Sequence, residues 1–383
     1  MEQRQSPLEG MGLSGKRLGT AIDLLKGRRI LVTGNTGFMG SWLSAWLLSS
    51  EAKVTGYALD PPTDPSMFDV IGLKARMTSE RGDINDLEHL KDAMQRSRAE
   101  VVFHLAAQPL VRRSYSEPIL TIDTNVVGTA KVLEAAREVP SIKALICITS
   151  DKCYENREWV HGYRENDPLG GKDPYSASKG AAELMIASYR DSFFGPGSDG
   201  KRKVGVASAR AGNIIGGGDW AEDRIVPDCM RALSAGRPIQ MRNPAAVRPW
   251  QHVLEPLAGY LLLASRLLTD PDHHSSAWNF GPRAEDHVPV TQLVQLILNQ
   301  WGEGKTEIMS STNQPHEAGT LRLDCTKAQT QLGWYPVLPL KESVRMTVEW
   351  YKEYQKEPSR LWDTTLRQID EYLQRAQRSD SGG

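Results

Sequence analysis

Only four cysteines, Cys147, Cys153, Cys229 and Cys325, occur in 383 residues, scattered and with no pair at ligand spacing to a histidine. That scarcity excludes a disulfide-stapled fold and argues against a Cys/His metal centre, so reduced thiols and no metal are expected. No uncharged apolar run approaches the length that spans a bilayer. Met1 to Lys26 contains no long apolar segment after a basic start, which leaves a cytoplasmic location as the expectation. Excess charge of either sign is missing too. A net charge of −1 offers no field for nucleic acid or an anionic membrane, although local basic clusters can still recognise phosphate. There is no internal repeat and no low-complexity tract. What remains is a globular chain, 40% apolar, long enough for one large α/β unit or two closely packed lobes and expected to bind a small molecule.

From Arg29 onward, short β-branched or apolar runs alternate with longer amphipathic stretches, the pattern of strands and crossover helices in a parallel sheet. The runs predict strands at 29–33, 53–58, 78–81, 101–105, 144–149 and 204–208, and helices at 41–49, 87–96, 124–138 and 175–192. The fold class is therefore α/β, a doubly wound parallel (Rossmann) sheet. Beyond Arg210, glycines and prolines break the chain into short pieces, which predicts a smaller mixed α/β lobe with a helix at 255–269. Segments such as Trp278-Asn279-Phe280-Gly281 are expected to return to the sheet or the cleft. The division is an extension at 1–26, a Rossmann domain at 27–210, a substrate lobe at 211–357 and a tail at 358–383, disordered from Arg378.

Gly34, Gly37 and Gly40 form a glycine-rich turn with Thr36, Phe38 and Met39 between the first strand and a helix. Backbone amides in such a turn can approach a pyrophosphate, and the helix N-terminus adds partial positive charge. Asp60 ends the second strand about twenty residues on, where an acid accepts hydrogen bonds from adenosine ribose hydroxyls and repels a 2′-phosphate. The cofactor expected is NAD, not NADP. Asp83-Ile84 and Leu105-Ala106-Ala107 follow the third and fourth strands, at the ends where this architecture opens its crevice. Asn125 is either a polar brace for that site or a helix-packing residue.

Tyr175 and Lys179 stand four apart, and none of the other ten tyrosines has a lysine at that spacing. On a helix they share a face, so the Lys179 ammonium would favour the ionised phenol and make Tyr175 a usable base. Taken in order, the glycine turn, Asp60, Asp83, Leu105-Ala106-Ala107, Asn125 and Tyr175/Lys179 resemble the extended short-chain dehydrogenase/reductase superfamily over nearly all of residues 28–350. More narrowly, four segments resemble the CDP-glucose 4,6-dehydratase family: Ala107 to Arg112, Thr149 to Asn156, Arg210 to Trp220 and Arg248 to Val253. That family usually carries His and Lys in the glycine turn, where this chain has Asn35 and Met39.

The resemblance implies a nucleotide-sugar 4,6-dehydratase that converts CDP-glucose to CDP-4-keto-6-deoxyglucose, with hydride passing from C4 to NAD and back to C6. Tyr175 would take the 4-hydroxyl proton and Ser150 would hydrogen-bond the 4-oxygen. Asp151 would be the acid for the departing 6-hydroxyl, which requires burial to raise its pKa. Lys152 would remove the C5 proton, stabilise the enolate, or serve only in a loop ion pair. Asn213, Arg224 and Arg248 are candidates for the nucleotide diphosphate, with His316 beside Glu317 for ribose or base. Gln108 and Arg112 would line the sugar pocket, and His252 would support the fold. A nucleotide-sugar 4-epimerase shares Tyr175 and Lys179 but needs no acid at C6, so the Asp151-Lys152 pair favours dehydration. The same residues also allow dehydration of a different NDP-sugar or, in another class, an idle NAD-binding scaffold. The resemblance further implies a homodimer joined through 124–138 and 175–192, and deoxysugars made for a lipopolysaccharide-type surface polymer or a secondary metabolite.

Overall fold

The computed structural model describes residues 14–195, 203–309 and 320–381. Strands β1 (Arg29–Thr33), β2 (Lys53–Ala58), β3 (Thr78–Arg81), β4 (Val101–His104), β5 (Ala144–Ile148) and β6 (Gly205–Arg210) form one parallel sheet in the order 6-5-4-1-2-3. A seventh strand, Ala277–Asn279, pairs in parallel with β6, so the Trp278 segment does return to the sheet. Helices cover both faces, which is why the central strands read as unbroken apolar runs and not as alternating ones. Side chains of Ile30, Val32, Phe103 and Ile146 enter one core, while Leu31, Val102, Leu145 and Cys147 enter the other. The edge strand β3 is mostly exposed, and its sequence, Thr-Ser-Glu-Arg, is accordingly polar.

The strand order reverses between β1 and β4, and a doubly wound sheet opens its binding crevice outside the strand C-termini at such a point. Register there sets Thr33 beside both Tyr57 and His104. The predicted 124–138 helix is regular only over Gly128–Glu138, because residues 123–127 form a wider π-type turn that carries Asn125. A similar widening ends the Pro174–Tyr189 helix at Arg190–Phe194.

The boundary at residue 210 is not a boundary in space. The Leu254–Thr269 helix is buried on nearly every side and packs under β5 and β6. Short strand pairs, Ile239–Met241 with Thr306–Ile308 and Val247–Pro249 with His287–Pro289, build the lobe above the crevice. The two chain ends also behave differently from the expectation. Helix Ser14–Leu25 packs against both the Leu254–Thr269 helix and a C-terminal helix, Leu361–Ser381, which continues past Arg378, the start of the segment expected to be disordered, as far as Ser381. The stripe Leu361, Thr365, Gln368, Ile369, Tyr372 and Ala376 is buried at helical spacing, and that apolar face needs a partner. Gly15 permits close contact: a Cβ there would lie 2.5 Å from the backbone nitrogen of Gln377.

Candidate active site

At the end of β1, Gly34 adopts φ +72°, and a Cβ on it would lie 2.7 Å from the Ala106 nitrogen. A Cβ on Gly40 would come within 2.1 Å of the Gly34 oxygen. Only glycine allows the turn to fold this tightly against the loop after β4. The helix Phe38–Ser49 then starts at Gly37 with no side-chain cap, so its first amides have no side chain competing with an anion. Thr36 donates to the Leu59 carbonyl at 3.0 Å, tying the turn to the end of β2. Asp60 sits exposed just beyond, ion-paired with Arg81 at 2.7 Å. Asn35 turns under the sheet, where it donates to Ser79 at 3.0 Å and leaves no room for a Cβ on Gly56. Met39 packs on the main core. Neither adds a cation, so attraction for a pyrophosphate rests on backbone amides. These features fit a dinucleotide such as NAD.

The β3 and β4 ends complete the crevice. Asp83 caps its own turn through Asn85, and Ile84 is buried beside Gly128. Leu105, Ala106 and Ala107 are half-buried. Asn125 is a brace: its oxygen accepts from the Gln108 nitrogen at 2.8 Å, and its amide reaches the Gln108 carbonyl at 3.1 Å and the Ser178 hydroxyl at 2.9 Å. One side chain thus locks the β4 loop to the helix of Tyr175. Gln108, expected in the sugar pocket, is buried and spends its side chain within its own loop, donating to Thr121 and the Leu110 carbonyl and accepting from the Leu110 nitrogen.

Tyr175 begins the Pro174–Tyr189 helix, whose start is written in Asp173-Pro174. The aspartate side chain accepts from the Ser176 nitrogen at 2.9 Å, and proline occupies the first turn. Ser114 accepts from the Tyr175 nitrogen at 3.2 Å. Burial pushes the Tyr175 phenol up to about 12, opposed by a hydrogen bond with Ser150 and by the positive charge of Arg224. Lys179 is 5% exposed, and burial lowers it to about 8 against the opposing charge of Glu183. Their four-residue spacing on one helix sets Tyr175 and Lys179 on a shared face.

The turn after β5 holds the other group. Ser150 donates to Asp151 at 3.0 Å and accepts from the Lys152 nitrogen at 3.2 Å. Asp151 is 2% exposed. Burial raises its carboxyl above the ordinary value, while Lys152, Ser150 and Arg248 pull against the rise. Asn213, at φ +50°, reaches Asp151 at 3.4 Å. Lys152 is half-buried, its Nζ 6.0 Å from the centre of the Tyr175 ring. Arg224 pairs with Asp219 at 3.1 Å, and Arg112 lies 3.8 Å from Asp223. Arg248 bonds the Val247 carbonyl at 3.0 Å. So Ser150, Asp151, Lys152, Tyr175, Asn213, Arg224 and Arg248 converge, with Arg112 at the rim. His316 lies outside the described residues. His252 is fully buried against Trp42, in keeping with a role in the fold. Among the described residues no group of three His, Cys, Asp or Glu side chains could hold a metal ion, and no helix is long and apolar enough to cross a membrane.

Sequence reasoning missed several contributors. Gly212 underlies Asp151, since a Cβ on it would fall 2.0 Å from Asp151 Oδ2. Arg242 pairs with Asp223 at 2.6 Å and extends the cationic rim. Glu183 and Arg210 form a buried pair at 2.7 Å below the site. Only Glu183 left a signal, repeating the four-residue spacing of Tyr175 and Lys179.

A switch-point crevice with a glycine turn, an acid after β2 and a tyrosine/lysine helix defines an NAD-dependent enzyme of the extended short-chain dehydrogenase/reductase class. The GDP-mannose 4,6 dehydratase family model matches residues 31–347, and the chain belongs to that family. It is an NAD-dependent sugar-nucleotide 4,6-dehydratase. A curated relative, "CDP-glucose 4,6-dehydratase" of Salmonella typhimurium, is 50% identical over 348 residues, covering 91% of this chain and 97% of the relative. Among solved structures, a dTDP-glucose 4,6-dehydratase from Streptomyces venezuelae with NAD bound superposes with a TM-score of 0.72 at 21% identity, covering 86% of this chain and 98% of that one. A UDP-glucuronic acid 4-epimerase from Bacillus cereus, also with NAD, gives 0.71 at 21%, covering 85% and 99%. At these identities the structures speak to fold alone.

Proposed function

We propose that this chain converts CDP-glucose to CDP-4-keto-6-deoxyglucose as a cytoplasmic homodimer. The observation that carries the dehydratase roles is the buried, raised carboxyl of Asp151 beside Ser150 and the Tyr175 pocket. An epimerase has no use for an acid there. The choice of CDP rests on the 50% identity to a relative of that name.

In this reading the turn of Gly34, Thr36, Gly37, Phe38, Met39 and Gly40 holds the pyrophosphate, and Asp60 accepts from the adenosine ribose. Asp83, Ile84, Leu105, Ala106 and Ala107 line the crevice, Asn125 braces it, and Tyr175 and Lys179 border the nicotinamide. Bound NAD supplies a reversible hydride acceptor and a positive ring charge. Tyr175 takes the 4-hydroxyl proton as its phenolate is favoured by that charge and by Arg224. Ser150 orients the 4-oxygen. The new ketone acidifies C5–H, and Lys152 serves that step either as the amine that takes the proton or as the ammonium that stabilises the enolate. Asp151, whose protonated form burial favours, is the acid for the leaving 6-oxygen. Asn213, Arg224 and Arg248 take the diphosphate with charge-assisted hydrogen bonds, and Arg112 closes the rim.

A panel of CDP-, dTDP-, UDP- and GDP-glucose with catalytic NAD, read by the alkaline absorbance of a 4-keto-6-deoxy sugar, tests this reading. CDP-glucose should turn over best; preference for another nucleotide would overturn the base assignment, and silence with all four would overturn the dehydratase roles. Asp151→Asn should still reduce cofactor while water loss slows roughly 10²- to 10⁴-fold.

A further inference from the structure

We propose that Glu183 is a positioning residue of this enzyme: locked by Arg210, it is the buried counter-charge that keeps Lys179 an ammonium beside the nicotinamide pocket. The inference rests on the proposed function and deepens it. Tyr175, Lys179 and Glu183 succeed one another at four-residue intervals on one helix, which sets them in a row running from the crevice into the protein.

Glu183 is 3% exposed and has no water to solvate it. Its carboxylate instead receives Arg210 Nη2 at 2.7 Å, the Ser208 hydroxyl at 2.7 Å and the Thr149 hydroxyl. Burial alone would push Glu183 up, but Arg210 and these hydroxyls hold it below the ordinary carboxylate value. Arg210 is fixed in turn by the Tyr154 hydroxyl at 2.7 Å and the Glu165 carbonyl at 3.0 Å. The anion is therefore permanent at working pH and immobile.

Lys179 is buried as deeply, and the groups that face it come from three elements besides its own helix. They are His104 on β4, Cys147 on β5 and Cys153 in the following turn. Burial leaves all three neutral: His104 is lowered to about 3, and both thiols are pushed up. Glu183 is the anion among these neighbours and the largest charge opposing the desolvation of Lys179. Without it, a lysine in so dry a place would release its proton. The Thr149 hydroxyl on the same carboxylate also anchors the residue directly before Ser150-Asp151, so one side chain steadies both the hydride-transfer and the dehydration groups.

The test titrates Lys179 directly in the full-length protein. With lysine labelled at Nζ with nitrogen-15, and the signal assigned by its loss in Lys179→Met, the wild type should titrate near 8. Glu183→Gln should shift the midpoint down by about one unit or more, a tenfold fall in the ammonium-to-amine ratio at fixed pH. The alkaline limb of single-turnover NAD reduction should move with it, and activity should recover at lower pH, which a merely structural defect would not allow. Should the single variant fail to fold, Glu183→Gln with Arg210→Gln removes the pair without stranding either charge. It should give a smaller shift in the same direction, because Glu183 shares the helix of Lys179 one turn on whereas Arg210 reaches in from β6. An unmoved Lys179 titration in a folded variant overturns the proposal. Wild-type protein inactive on every nucleotide sugar would instead overturn the functional reading, leaving the titration result to stand by itself.

Discussion

Asp151 illustrates how a single side chain acquires its chemistry from the residues beneath it. Its carboxyl is raised only because the turn after β5 carries it to where water is excluded, and Gly212 lets it lie flat against the neighbouring loop. Gly212→Ala should displace the carboxyl, since the added carbon would overlap it outright. Overpacking costs about 1–3 kcal/mol; borne by the transition state for elimination, that is about five- to 150-fold slower water loss. Reduction of NAD in a single turnover should suffer less, and equal loss in both measurements would indicate a general defect. Asn35 and Met39 make the complementary point: as residue types they read as lost cations, whereas their positions show a strut to Ser79 and a core contact.

Among elements, the Leu254–Thr269 helix joins sheet, lobe and chain end through Glu255. Its Oε1 accepts from the Val337 nitrogen at 2.7 Å and from the Leu338 nitrogen, and its Oε2 accepts from the Tyr372 hydroxyl at 2.9 Å. Burial raises Glu255 from 4.5 to about 7. A carboxyl whose folded pKa lies above its unfolded one stabilises the fold fully below the unfolded value, and that contribution fades as pH rises through the folded value. The loss should therefore fall between about pH 4.5 and 7, on the order of 3 kcal/mol in all. Glu255→Gln keeps an acceptor for the two amides and should flatten this part of the profile. Chemical denaturation of both proteins from pH 5 to 8 measures it; parallel curves would exclude Glu255 as the titrating group.

For the whole molecule, the packing of the two end helices against one another closes a core that the 27–357 segment alone leaves open. A second surface is left uncovered on the far side of the sheet. Ile119, Leu120, Ile122 and Val127 precede the Gly128–Glu138 helix, and Leu184 and Phe193 lie on or just after the Tyr175 helix; all are at least 40% exposed. Exposed apolar side chains of this kind suit the proposed homodimer interface. Leu184→Glu should convert the dimer to monomers in sedimentation velocity while leaving the circular dichroism unchanged. A wild-type protein that sediments as a monomer would remove the proposal.

The sheet was legible because strand and helix periods are local: β-branched runs of five or six residues and the glycine turn could form little else, and the six predicted strands lie within a residue or two of those found. The spacing of Tyr175 and Lys179 and the order of motifs likewise announced the chemistry. Local patterns could not say that Glu183 would be locked by Arg210, that Gln108 would spend its side chain on Thr121 and Leu110, or that the Ser14–Leu25 and Leu361–Ser381 helices would pack on each other. Those outcomes depend on which distant backbone fills the space beside each group. Burial, which raises Asp151 and Tyr175 and lowers Lys179, exists only once residues far apart in the chain have packed together.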